Sequence, residues 1–206
     1  MFTAIYFDFI KFCDKIIVYF GGDYMIKMGN ILDEKDSRLR SISNEVVFPL
    51  SKKDKKAIKD TIEYLTNSQI PEISEKEGLR PGMGLAAIQL GINKRFFVVV
   101  HEITREEDKK QKFNTYIIVN PKIISHSEEI IAADTGEGCL SVNREVDGYV
   151  KRFARVTIEA FDIDGKPITI RAREELAIAF QHEIDHLNGI LFIDKITNNI
   201  NGIRTI

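Results

Sequence analysis

The sequence predicts an α+β fold in which mainly antiparallel sheets pack around one central helix, and three observations carry that expectation. β-rich runs are joined by hairpin signals, an apolar stripe at helical spacing lies near the C-terminus, and a capping-box-like start marks a helix ahead of the strands. With 206 residues, 44% of them hydrophobic and 29% charged, the chain has enough apolar material for one core. Internal repeats, low-complexity tracts and Pro- or Gly-rich linkers are absent from the sequence, which makes residues 25–206 a single domain by expectation and residues 1–24 an N-terminal extension of uncertain status.

Taken in order, Met1 to Tyr24 is rich in Phe, Tyr and Ile but is interrupted by Asp8, Asp14 and Lys15. No small-residue cleavage site precedes Gly21-Gly22, so a secretory signal is not expected. Two alternatives remain for this stretch: translation that begins at Met25 or Met28, or an added helix covering a hydrophobic surface patch. Ser51 to Gln69 opens on Ser51-x-x-Asp54 and places Ile58, Ile62 and Leu65 at helical spacing. Gly82 to Gln89 is a loop of small residues entering an apolar stretch that carries one amide; alone it is a weak signal, and a tight turn packing a short helix explains it equally. Arg95 to Val100 and Thr115 to Val119 are β-rich runs separated by the charged Thr104 to Gln111, an exposed hairpin tip. Val156 to Ile163 and Ile168 to Arg171 flank Asp164-Gly165, a second hairpin. The final helix carries Leu176, Phe180, Ile184 and Leu187 on one stripe, has Glu174 and Glu175 in its first turn, and is capped by Gly189.

That helix also contains Gln181-His182-Glu183-Ile184-Asp185-His186-Leu187-Asn188-Gly189. Histidines four apart project from one helical face, where two imidazoles can share a metal ion, and Glu183 lies beside the first of them. A divalent metal with three protein ligands keeps a position open to water, lowers the pKa of that water and calls for a nearby carboxylate to handle the proton. The fold is thus expected to close around a metal-binding helix. For the third ligand, Asp194 is the downstream candidate, while Glu137-Gly138-Cys139-Leu140-Ser141 offers Cys139, one of two cysteines, as the better one. The competing explanation for Cys139 is a buried thiol acting as a small hydrophobe.

The three blocks Gly82-Met83-Gly84-Leu85-Ala86-Ala87-Ile88-Gln89, Glu137 to Ser141 and Gln181 to His186, in this order, resemble the motifs of the peptide deformylase family. The resemblance runs from about Ile31 to Ile196, and the Val142 to Arg155 stretch with the Asn188-Gly189 ending is similar to the longer, Gram-positive type. Ile88 stands where the family commonly has proline, which bears on loop stiffness more than on chemistry. Membership implies a metallo-hydrolase that removes the formyl group from N-terminal formyl-methionine of nascent polypeptides and releases formate. It implies metal ligands Cys139, His182 and His186, Glu183 as general base and acid to a water activated at the metal, and Gln89 with the backbone N–H of Leu140 facing the formyl oxygen. An extended peptide would lie against Met83, Gly84 and Gly138. Ile178, one turn before His182, is a candidate for the methionine pocket or ordinary core. Arg152 either positions an acidic group or is a solvated charge with Lys151 and Arg155, and Asp185 is either a partner to the site or a surface charge. Fe²⁺ is the implied cellular ion, with Zn²⁺, Ni²⁺ and Co²⁺ also suited to such a site.

Whole-chain properties narrow the setting. A net charge of −2 predicts no nucleic-acid surface. Two cysteines argue against a disulfide framework, and Cys139 must stay reduced to act as a ligand, so the cytoplasm is the expected compartment. Nothing in the sequence is long enough to span a membrane, and formyl-methionyl nascent peptides with a transient ribosome contact are the implied partners. The rival functions are a metallopeptidase that cuts internal peptide bonds with the same helix motif, and a catalytically silent homologue. Replacing Cys139 discriminates the first, and the presence of Glu183 and Gln89 disfavours the second.

Overall fold

The computed structural model describes residues 26–206, and the expectation for residues 1–24 lies outside them. Two helices come first, α1 (Lys52–Ser68) and α2 (Pro71–Glu77), followed by strands β1 (Gly84–Ala86), β2 (Phe96–Glu102), β3 (Phe113–His126) and β4 (Ile130–Ala132). Then come β5 (Tyr149–Val150), β6 (Arg152–Phe153), β7 (Arg155–Phe161) and β8 (Pro167–Arg173), the long helix α3 (Glu174–Leu187), and the short strands β9 (Ile196–Thr197) and β10 (Arg204–Thr205). Among the described residues, β1-β2-β3-β7-β8 form a five-stranded sheet with every neighbouring pair antiparallel. A smaller sheet runs β10-β4-β6, with β10 parallel to β4, and β5 pairs with β9. The α+β, mainly antiparallel expectation is met.

The core is built on the two faces of β2. Phe96, Val98 and Val100 point into a cluster with Ile58, Tyr64 and Leu65 of α1, whereas Phe97 and Val99 point into a cluster with Phe180, Ile184 and Leu187 of α3. A strand buried on both faces reads as a continuous apolar run rather than an alternating one. The Phe97 and Phe180 rings meet nearly edge-on at 5.7 Å, which locks α3 to the sheet. Helix α1 starts as its sequence implies: the Ser51 hydroxyl accepts the Asp54 N–H at 3.1 Å, and the Asp54 carboxylate accepts the Ser51 N–H at 3.2 Å.

Two sequence expectations need correction. Residues 84–86, read as part of a loop, form the edge strand β1, paired through Gly84↔Val99, Leu85↔Val98 and Ala86↔Phe97. Three residues are too few for an alternating pattern to show. The strand expected to end at Val119 continues to His126 and changes partner on the way, pairing with β2 up to Val119 and with β7 from Val119 onward. Pro121 hides this continuation, because a proline argues against a central strand. The ladder shifts register between Val119 and Lys122, where Asn120 takes a positive φ of 51°. There its side chain accepts the Val46 N–H at 2.8 Å and donates to the Val46 carbonyl at 2.9 Å, replacing a lost ladder step.

Both ends of α3 are held. Glu174, its first residue, sits at φ 54°, a left-handed conformation that costs a non-glycine residue roughly 1–2 kcal/mol. Its N–H reaches the Ala154 carbonyl at 2.8 Å and its carboxylate pairs with Arg204 of β10. At the other end Gly189 takes φ 74° and its backbone lies so close to Arg40 that a Cβ would come within 2.5 Å of the Arg40 carbonyl oxygen. Gly189→Ala is therefore expected to cost about 2–4 kcal/mol through strain and collision together, measured as a fall in urea-unfolding free energy at unchanged m-value.

Candidate active site

From Gln181 onward helix α3 runs through the interior, so the polar residues there are buried with the apolar ones. His182, Glu183, Asp185 and His186 are all buried. The two imidazoles stand 5.0 Å apart, tilted by 69°, on one face of the helix. Cys139 reaches the same point from the loop after β4, a turn closed by the Val142 N–H on the Cys139 carbonyl at 3.1 Å. Its Sγ lies 3.2 Å from His186 Nε2, and the ligand atoms of Cys139, His182 and His186 all fall within 4.8 Å of one another.

Each polar group has a physical reason for its state. His182 Nδ1 contacts the Glu137 carboxylate at 2.8 Å, which leaves Nε2 for a second partner. The Arg152 guanidinium, itself only 2% exposed, holds Glu137 with two bonds at 2.7 and 2.9 Å and reaches Asp185, which Lys195 also clasps at 2.6 and 2.7 Å. Burial opposes the charged form of Glu137, but the bonds to Arg152 and His182 outweigh it and hold the carboxyl at about 2. Burial likewise disfavours a charged His182, yet the Cys139 sulfur and the Glu137 carboxylate raise it well above the ordinary imidazole value. His186 is pushed well below that value by burial and by the charge on His182.

Glu183 faces β1. A Cβ on Gly84 would sit 2.3 Å from Glu183 Oε1, so only glycine lets the strand pass that close to the carboxyl. Burial lifts the Glu183 carboxyl to about 7, with the charge of His182 pulling the other way, and a group poised there exchanges its proton at neutral pH. Gln89, in the turn after β1, is oriented by the Ala86 N–H, which donates to its Oε1 at 2.8 Å. Its amide nitrogen therefore points inward, 3.1 Å from the Ser141 hydroxyl and 3.6 Å from Cys139 Sγ.

These residues fit a metal ion. A tetrahedral ion with ligand bonds of about 2.0–2.3 Å sets its donor atoms roughly 3.3–3.7 Å apart, close to the spacing of Sγ and Nε2 here. A thiolate with two imidazoles suits a divalent first-row ion. Among the described residues, the buried side-chain atoms without a hydrogen-bond partner include Glu183 Oε2 and His186 Nδ1, both on this helix.

The structure thus brings together Cys139, His182, His186, Glu183, Gln89, Gly84 and the backbone of Leu140. Met83 is half-buried and gives its carbonyl to the Val100 N–H at 2.8 Å. Gly138 borders open space, where a Cβ would meet nothing within 4 Å. Ile178 is buried with Ile131 and Ala154. Asp194 is occupied elsewhere, ion-paired with Arg40 and accepting the Leu191 N–H at 2.9 Å. Arg152 proves to be a buried anchor rather than a solvated charge. Sequence reasoning missed Glu137 as the partner of His182, although its place two residues before Cys139 in an otherwise small and apolar block was the signal. It also missed Arg80 and Lys195, which no local pattern marks.

Known proteins resemble this chain along most of its length. The family model described as "Polypeptide deformylase" matches residues 28–201. A peptide deformylase of Listeria monocytogenes (serotype 4a, strain HCC23) is 50% identical over 173 residues, covering 84% of this chain and 91% of the relative. The crystal structure of peptide deformylase from Thermotoga maritima superposes with a TM-score of 0.65 at 29% identity, covering 85% of this chain and 99% of that one. A Met-Ala-Ser-bound class I type b peptide deformylase from Acinetobacter baumannii does so with a TM-score of 0.61 at 27% identity, covering 81% and 96%.

Glu137→Gln is expected to weaken metal binding about 10–100-fold, read by competition with a chromophoric chelator. In metal-free protein, Glu137 titrates lower folded than unfolded, so its stabilising contribution is complete above about 4.5 and is lost as pH falls toward about 2. Unfolding midpoints between pH 2 and 6 should show that acid-side decline in the wild type and a flatter profile in the variant.

Proposed function

The chain belongs to the polypeptide deformylase family, and from that premise we propose that Cys139, His182 and His186 hold its catalytic cation while Glu183, Gln89 and the Leu140 N–H act on the substrate. The enzyme is a peptide deformylase, which hydrolyses the N-formyl amide of formyl-methionyl polypeptides to formate and a free amine. The observation that carries the residue assignment is convergence. The Gln89 amide and the His186 ring, from two separate elements, both come within 3.6 Å of the Cys139 sulfur, which arrives from a third.

A divalent cation at this site supplies Lewis acidity and a water of lowered pKa. Glu183, buried with its proton equilibrium near neutrality, takes a proton from the attacking water and passes it to the departing amine nitrogen, a role typically worth about 10²–10⁴-fold. As the carbonyl carbon becomes tetrahedral, negative charge gathers on its oxygen, and the Gln89 amide and the Leu140 N–H are its preorganised donors. Closely packed apolar surroundings, including Leu140 against Gly82, keep bulk water from competing for those donors.

The substrate chain lies extended along β1, touching Met83 and Gly84 on one side and Gly138 on the other, with Ile178 at the methionine side chain. Support comes from the place of β1 at the sheet edge and from the open space at Gly138. Residues 25–206 act as one catalytic domain, since α3 packs against the large sheet and clamps β6 of the small one through Gln181. Fe²⁺ is the cellular ion in this reading and the cytoplasm its compartment, because the thiol must stay reduced. Transient contact with the ribosome follows from the nature of the substrate. Among the described residues no helix is long and apolar enough to cross a membrane.

Anaerobically purified, metal-quantified protein should release formate from a short formyl-methionyl peptide. Glu183→Gln is expected to keep its metal and lose about 100-fold or more in kcat, and an active variant would remove Glu183 from the mechanism. Cys139→Ala is expected to purify with little metal by elemental analysis, and retained stoichiometric metal would overturn the ligand assignment.

A further inference from the structure

We infer that Arg80 is a positioning residue for the reaction, aiming the peptide N–H of Leu140 by gripping the carbonyl of the same peptide unit from behind. The inference rests on the reading in which that N–H receives the formyl oxygen. The Arg80 guanidinium donates through Nη2 to the Cys139 carbonyl at 2.9 Å and to the Val142 carbonyl at 3.1 Å. Through Nη1 it donates to the Asn143 side chain at 2.6 Å. Arg80 is itself anchored, because its own carbonyl accepts the hydroxyl of Tyr64, a fully buried residue of α1.

In a trans peptide the C=O and the N–H point in opposite directions within one rigid plane. Donors on the Cys139 oxygen therefore set the direction of the Leu140 N–H; the Val142 N–H closes the turn there at 3.1 Å and Arg80 adds the shorter, cationic bond, and among the described residues no protein acceptor takes the Leu140 N–H. A cationic donor on the carbonyl also draws charge along the peptide and strengthens the N–H as a donor. The Cys139 thiol, by contrast, is held by other groups: the Ser141 N–H at 3.4 Å, the Gln89 amide at 3.6 Å and His186 at 3.2 Å. Loss of Arg80 leaves only the neutral Val142 N–H, at 3.1 Å, on the Cys139 carbonyl, and should thus loosen the peptide plane while leaving the sulfur in place.

A merely structural clasp makes a different prediction, because Arg80 also tethers the loop through Asn143. We would compare metal-loaded full-length wild type, Arg80→Met and Asn143→Ala for kcat, KM, metal content and melting temperature with a formyl-methionyl peptide. The positioning role predicts full metal and a loss of about 10–100-fold in kcat with little change in KM for Arg80→Met, but less than about threefold for Asn143→Ala. Equal kcat losses in the two variants, loss of metal in Arg80→Met, or an unchanged kcat there would overturn it. Should Arg80→Met not fold, Arg80→Gln replaces it, keeping a neutral donor but no cation. A loss of about fivefold at full metal supports the inference and an unchanged kcat overturns it. Wild-type protein that binds metal but releases no formate would instead sink the deformylase reading, leaving the two failures distinguishable.

Discussion

Helix α3 carries two imidazoles and two carboxylates through the middle of the protein, and the rest of the structure is arranged to make that burial tolerable. An ionised group taken out of water costs several kcal/mol unless it finds a partner of opposite charge in good geometry. The partners are supplied from outside the helix. Arg152 enters from β6, Glu137 from the loop before Cys139, and Lys195 from the turn after α3, so that two cations and two anions alternate from Lys195 through Asp185 and Arg152 to Glu137. The chain of charges ends on His182 and joins this imidazole, a proposed metal ligand, to the protein surface through buried side chains.

The same constraint explains the docking of the helix. Gln181 accepts the Phe153 N–H at 3.0 Å and returns a bond to its carbonyl at 2.9 Å, acting toward β6 as a neighbouring strand would. Asn120 does likewise for Val46 on the far side of the large sheet. Amide side chains complete backbone pairing where the chain bends too sharply for strands to do it. The small sheet is thereby held against α3 with Arg152 in register for its two carboxylates. On the opposite face β1 can approach Glu183 only because residue 84 has no side chain.

Much of this was legible in the sequence because the relevant signals are local. The capping box of α1, the hairpins around residues 104–111 and Asp164-Gly165, and the spacing of His182 and His186 all depend on neighbours within a few residues. Cys139 was recoverable through its motif, although 43 residues separate it from His182 and nothing in the spacing brings them together. What escaped depended on pairing across long distances. β1 is too short to show a period, β3 hides its second half behind Pro121, and the role of Glu137 exists only once Arg152 arrives from another strand. Arg80 carries no local mark at all, since its three acceptors lie about sixty residues downstream.

The brevity of β1 has a consequence for breadth of use. Three residues span roughly 10 Å, enough to align about three residues of a guest chain by its main-chain groups and no more. Every polypeptide offers the same backbone at its beginning, whatever side chains follow. An enzyme that grips its substrates over so short a track, as proposed for β1, is indifferent to nearly all of each protein it treats. Under that proposal one copy of this fold suits chains of many different sequences, with selectivity concentrated at the terminal residue.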